Sequence, residues 1–123
     1  MTTILDTCAL ILAGLEGVRP RQAWLTFAMA RHVAVDLCQV LDSPPRAPER
    51  DRLPPDDLRR LRAVLTDAGA LLRDGVEADR AFAELRQSYE PYVAALAGRL
   101  SLTLPTWFPA ATTKDNWQKT AWT

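Results

Sequence analysis

Residues 81–100 read Ala-Phe-Ala-Glu-Leu-Arg-Gln-Ser-Tyr-Glu-Pro-Tyr-Val-Ala-Ala-Leu-Ala-Gly-Arg-Leu, and this stretch decides the fold. Phe82, Leu85, Tyr89, Val93, Leu96 and Leu100 recur at alternating three- and four-residue steps. That spacing lays side chains along one face of an α-helix. Pro91 falls inside the run; it lacks the N–H donor and its ring presses on the carbonyl of Gln87. The apolar seam carries straight through it, so the pattern predicts one long helix kinked at Pro91 and not two short ones.

Upstream of the turn Arg73-Asp74-Gly75, the run Pro54-Pro55-Asp56-Asp57 is a helix start, with fixed φ and acids at the positive end of the dipole. Leu58, Leu61 and Leu65 share one face, Val64 lies alongside, and Gly69 is a natural stop. Earlier still, residues 42–62 alternate six Arg with five acids around five prolines. The signs cancel locally and the prolines deny regular structure until the helix begins, so an exposed connection is expected.

Pro20 opens another helix that runs to about Leu41, where Asp42, Ser43, Pro44 and Pro45 stop it. Gln22, Thr26, His32, Asp36 and Gln39 gather within about two fifths of its circumference. Trp24, Phe27, Ala34, Val35, Leu37, Cys38 and Leu41 fill most of the rest, which makes it the central helix. Arg31 falls within the apolar arc and needs a carboxylate or carbonyl partner from another element; it is the expected buried ion pair. The chain opens with a short helix over residues 2–15, capped by Thr2 and Thr3, apolar on most sides and ended by Gly14 and Gly17.

These readings give an all-α fold: a small bundle of about four helices, the last kinked at Pro91, with an extended aromatic C-terminal tail. Residues 1–109 form the helical domain, and residues 110–123 form a tail packed on the domain or on a partner subunit. Length agrees, since 123 residues support a single core. Hydrophobic residues make up 48% and aromatics only 7%, a balance suited to helices packed through small side chains. Fifteen basic and fifteen acidic residues leave no net field for a phosphate backbone, which argues against nucleic acid. The longest apolar run spans eight residues, too short for the roughly twenty that cross a bilayer, so direct membrane insertion is not expected.

Of four tryptophans, Trp107, Trp117 and Trp122 crowd into the last seventeen residues, outside any helical period. A large ring hidden from water contributes roughly 2–3 kcal/mol, so this segment should lie on its own helices or on a neighbouring copy. Candidate association residues are therefore Trp24, Phe27, Trp107, Phe108, Trp117 and Trp122.

Catalytic chemistry is thin. His32 and Asp36, four apart, could hold a metal or orient an imidazole, but the chain has one histidine and no Glu-x-x-His. A metal-dependent helical-bundle enzyme would have to build its site from this pair and distant carboxylates. Cys8 and Cys38 sit among Ala, Leu and Val, where a thiol acts as a small hydrophobe, and suggest a reducing cytoplasm. Tyr89, Glu90, Pro91 and Tyr92 cluster at the kink; they could bind a ligand, but a kinked helix packing around a tyrosine is the preferred reading. Phosphate loops and nucleophile elbows are absent from the sequence. The expectation is a non-enzyme with no catalytic, cofactor-binding or metal-binding residues and no cofactor.

Tyr-Glu-Pro-Tyr-Val-Ala-Ala-Leu (89–96) and Leu-Thr-Leu-Pro-Thr-Trp (102–107) resemble the cytoplasmic C-terminal region of bacterial two-transmembrane ion-channel proteins of the potassium-channel type. The first helix, with Leu5, Asp6 and Cys8-Ala9-Leu10, and Arg-Leu-Pro-Pro-Asp-Asp-Leu (52–58) look similar to the same region. The filter signature Thr-Val-Gly-Tyr-Gly is absent, so the resemblance implies pore helices on a preceding membrane-spanning segment of the same parent chain, with Met1 the start of an excised piece of it. It implies a cytoplasmic helical module that helps subunits associate or biases the gate, most simply as a homo-oligomer. A freestanding helical adaptor would show the same pattern.

Overall fold

The computed structural model describes residues 1–108 of the chain. Among them are four helices, α1 (Thr2–Gly14), α2 (Pro20–Val40), α3 (Pro55–Asp67) and α4 (Val76–Leu100). The all-α small bundle is as the sequence implies, and α4 continues through Pro91 as one helix. Trp117, Trp122 and the proposed tail boundary at residues 109 and 110 lie outside the described residues.

Glycine and left-handed corners set the helix ends. Gly75 begins α4 at φ 99° and Gly69 follows α3 at φ 90°, conformations open to glycine without strain. Ser101 closes α4 in the left-handed region, and the Leu102 N–H bonds back to the Ala97 carbonyl at 2.8 Å. Beyond α1, the Leu15 backbone pairs with Leu72 in an isolated antiparallel bridge, tying the α1–α2 turn to the α3–α4 turn.

The helices α1, α2 and α4 pack directly on one another, whereas α3 stays outside the 8 Å Cα range of the other three. It attaches through side chains instead: Leu61 is buried in the common core, with Leu58 and Leu65 packed against it. Small residues let the three-helix centre close, with Ala9, Ala13, Ala34 and Ala95 all buried. Phe27 of α2 meets Tyr89 of α4 edge-on at 5.8 Å between ring centroids.

On either side of Pro91, side chains of α2 and groups of the connection donate to α4 carbonyls. Arg31 Nε donates to the Ser88 carbonyl at 2.7 Å, and the Cys38 thiol donates to that of Tyr92 at 3.4 Å. The Arg46 N–H adds a bond to the Pro91 carbonyl at 3.2 Å, and the Ser43 hydroxyl to that of Ala95 at 3.3 Å. Arg31 also stacks over the Tyr92 ring, 5.5 Å from its centroid. Arg31 thus finds a carbonyl partner, that of Ser88, and is not the buried ion pair expected of it.

Candidate functional site

The connection between α2 and α3 is irregular and mostly exposed, as its charge pattern suggests, except at Arg52 and Leu53. Leu53 is buried, and the Arg52 side chain is only 8% exposed. A local turn accounts for this. The carboxylate of Asp51 accepts the Leu53 N–H at 2.9 Å, and Leu53, preceding Pro54, favours extended backbone. Leu53 enters the core and the neighbouring Arg52 reaches between α1 and α4.

There Arg52 grips Asp6 of α1 with both terminal nitrogens, at 2.7 and 2.9 Å. Its remaining terminal N–H groups donate to Glu90 Oε1 at 3.3 Å and to the Pro105 carbonyl at 3.1 Å. The Tyr89 hydroxyl donates to the same Asp6 carboxylate at 2.6 Å. Glu90 in turn accepts Arg86 Nε one helical turn back at 2.8 Å, and Arg86 also bonds Asp51 at 3.0 Å. Six side chains from α1, α4 and the connection form one closed charge network.

Burial disfavours the Arg52 cation, but hydrogen bonding to Asp6 and the charges of Asp6 and Glu90 outweigh it and raise its pKa. Arg86 behaves alike: burial opposes its charge, while Asp51 and Glu90 over-compensate. For Asp51, desolvation is offset by the Leu53 N–H and by Arg86, and its pKa falls below the ordinary carboxylate value. Tyr89 is fully buried beside Asp6, and desolvation followed by that negative charge pushes its phenol far above the usual range. Each group is thereby fixed in one ionisation state near neutrality, which suits a lock between segments.

The sequence alone reads Tyr89 and Glu90 as packing at the kink, with a ligand as the alternative, and does not show this network. One signal was present: Asp6 is the sole charged side chain in the first fifteen residues, on a helix otherwise apolar. A lone acid in such a setting requires a partner.

The second feature is the outward side of α2. Leu25, Met29, Val33, Leu37 and Val40 are all exposed, Met29 at 66% and Val40 at 80%. At 100° per residue they occupy one side of the helix, opposite buried Phe27, Ala34 and Cys38. The arc that the sequence reading assigned to Gln22, Thr26, His32, Asp36 and Gln39 is therefore interleaved with large apolar side chains. An amphipathic helix in a finished monomer turns such residues inward.

Of the candidate association residues, Trp24 is 54% exposed and stacks on Phe27 at 6.0 Å, while Phe27 itself lies in the core. Trp107 packs edge-on against Phe82 at 5.7 Å and Phe108 lies under Arg60 at 4.4 Å, so both rest on this chain's own helices. His32 faces Asp36 at 3.2 Å on open surface, and the described residues contain no group of three metal-ligating side chains. Cys8 and Cys38 are buried, and burial raises both thiol pKa values, which suppresses thiolate chemistry.

Comparison of the chain with protein-family models, with curated proteins and with solved structures gives no match in any of the three.

Proposed function

We propose that this chain is a non-catalytic assembly or regulatory domain, on the cytoplasmic face, of a bacterial ion channel of the potassium-channel type. The observation that carries the assembly half is the apolar outward side of α2. Its occupant is a second copy of the same helix. Leu25, Met29, Val33, Leu37 and Val40 stand at −8, −4, 0, +4 and +7 about Val33, an order that lets the stripe pair with itself about a two-fold axis. Antiparallel pairing about Val33 sets Met29 against Leu37 and Leu25 beside Val40. Charge does not oppose it: His32 and Asp36 pair with each other, Arg31 is spent on Ser88, and the chain is neutral.

The channel half rests on the resemblance of residues 89–96 and 102–107. Those stretches coincide with the α4 carbonyls that α2 and the connection bind and with the segment that reaches Phe82 and Arg60. A freestanding adaptor is separated from this reading by the reading frame upstream of Met1, where two apolar spans enclosing a filter sequence are expected.

A cysteine cross-link tests the pairing. Val33→Cys, on the two-fold axis, should oxidise to a covalent dimer, while Thr66→Cys on exposed α3 should remain monomeric under the same oxidant. Native Cys8 and Cys38 are buried and do not compete. Equal cross-linking at both positions, or none at Val33→Cys, overturns the pairing.

A further inference from the structure

Helices α1 and α3 have the same length, 13 residues, and opposite relations to the core. Five residues of α1 are buried, against Leu61 alone in α3. No Cα of α3 lies within 8 Å of one in α1, α2 or α4, so no helix backbone closes on it. Its other attachments among the described residues are half-buried Leu58 and Leu65, the Arg62–Asp79 ion pair and Arg60 over the Phe108 ring. That ion pair is open to solvent, with Asp79 50% exposed, and such pairs add little. A helix this short is marginal in water on its own, so α3 depends on these few contacts to stay helical.

Its flanks are held firmly. Just before α3, Arg52 is fastened to Asp6 and Leu53 is buried in the core. Just after it, the Arg73 N–H donates to the Gly14 carbonyl at 2.8 Å and the Glu16 N–H to that of Leu71 at 2.9 Å, on either side of the Leu15–Leu72 bridge. Between these two fixed points, residues 54–70 bury one side chain, Leu61. Sparse burial between anchored ends is the physical mark of a segment that opens by itself.

We propose that α3 is a strap that opens as one unit while α1, α2 and α4 stay folded and both fastenings stay closed. Opening uncovers Leu58, Leu61 and Leu65 together with the part of the common core that they cover, and it frees Phe108 from Arg60. Gly69, with nothing within 4 Å of the place its Cβ would take, is the joint at one end, and Pro54 and Pro55 keep the other end stiff. The strap is separate from the outward side of α2 and opens whether or not the chain self-associates.

Amide hydrogen exchange of the intact chain, read residue by residue at rising urea below the unfolding transition, tests this. The amides of residues 59–67, bonded within α3, should share one opening equilibrium with a shallow urea dependence of its own, and their protection should be about 100-fold or more below that of α4. Phe27→Leu, in the core of the three-helix body, separates local from global opening. It should speed exchange in α4 about tenfold and leave α3 unchanged, because the body is equally damaged with the strap open or closed. Circular dichroism confirms that the variant is folded, and the intact-chain comparison decides alone if it is not. Protection in α3 equal to that in α4, scattered values within α3 that ignore urea, or equal acceleration of both helices by Phe27→Leu overturns the proposal.

Discussion

Arg52 and Asp6, forty-six residues apart, meet in a two-pronged ion pair at 2.7 and 2.9 Å with both side chains over nine-tenths buried. The pair joins the α2–α3 connection to the first helix, and through Tyr89 and Glu90 to the last. Removing one member strands the other charge in the interior, at a cost of about 3–5 kcal/mol. Asp6→Ala and Arg52→Ala should each lower the unfolding free energy by that order in urea titrations. The double variant Asp6→Leu/Arg52→Met should lose far less than the two single losses combined, because it leaves no uncompensated charge. Additive losses would mean that the two residues act independently.

Tyr89 makes stability fall in alkali. Its folded pKa is raised above the ordinary phenol value, so its contribution is complete below about pH 10 and is lost as pH climbs above that. The unfolded chain ionises there and the folded one does not. Urea midpoints should drop steeply above about pH 10, and tyrosinate absorbance should lag until unfolding. Tyr89→Phe should flatten this dependence and cost about 1.5–3 kcal/mol at neutral pH through the lost bond to charged Asp6.

Asp51 works at the opposite end of the scale. Its pKa is lowered in the folded state, so its contribution is present above about pH 4 and disappears as pH falls through the folded value. Asp51→Asn should therefore reduce stability at neutral pH and weaken the dependence on acid below about pH 4. Parallel acid titrations of both proteins, followed by circular dichroism, measure the difference. An unchanged acid limb would remove Asp51 from the network's energetics.

Gly98 lies within α4, where glycine costs roughly 0.5–1 kcal/mol relative to alanine. The group that an added Cβ would meet is the far end of the Arg46 side chain, which can swing aside. Gly98→Ala should stabilise the domain by up to about 1 kcal/mol in thermal unfolding.

The helices were legible because their evidence is local: the seam from Phe82 to Leu100 states its own period, and the proline and glycine punctuation marks the ends. The charge network was not legible, since Asp6, Arg52 and Glu90 lie far apart in the chain. Residues 42–62 show alternating signs whether or not one arginine turns inward. The Asp51 turn ahead of Pro54 directs Arg52, and its effect appears only once α1 and α4 are side by side. The position of Arg31 in an apolar arc shows that it needs a partner, and only the packing of α2 on α4 shows that the partner is the Ser88 carbonyl and not a carboxylate. On α2, grouping the polar residues concealed Leu25, Met29 and Val33 between them, and with them the side of the helix left uncovered.

Sedimentation equilibrium of the intact chain and of Met29→Glu tests the central claim, that α2 presents a surface made for a second copy. The intact chain should show the mass of two or more chains at micromolar to millimolar concentration. Met29→Glu, an exposed position that leaves the core alone, should show the mass of one chain with unchanged helicity. An intact chain that remains a monomer throughout that range, or a Met29→Glu variant that associates as well as the parent, would contradict the account.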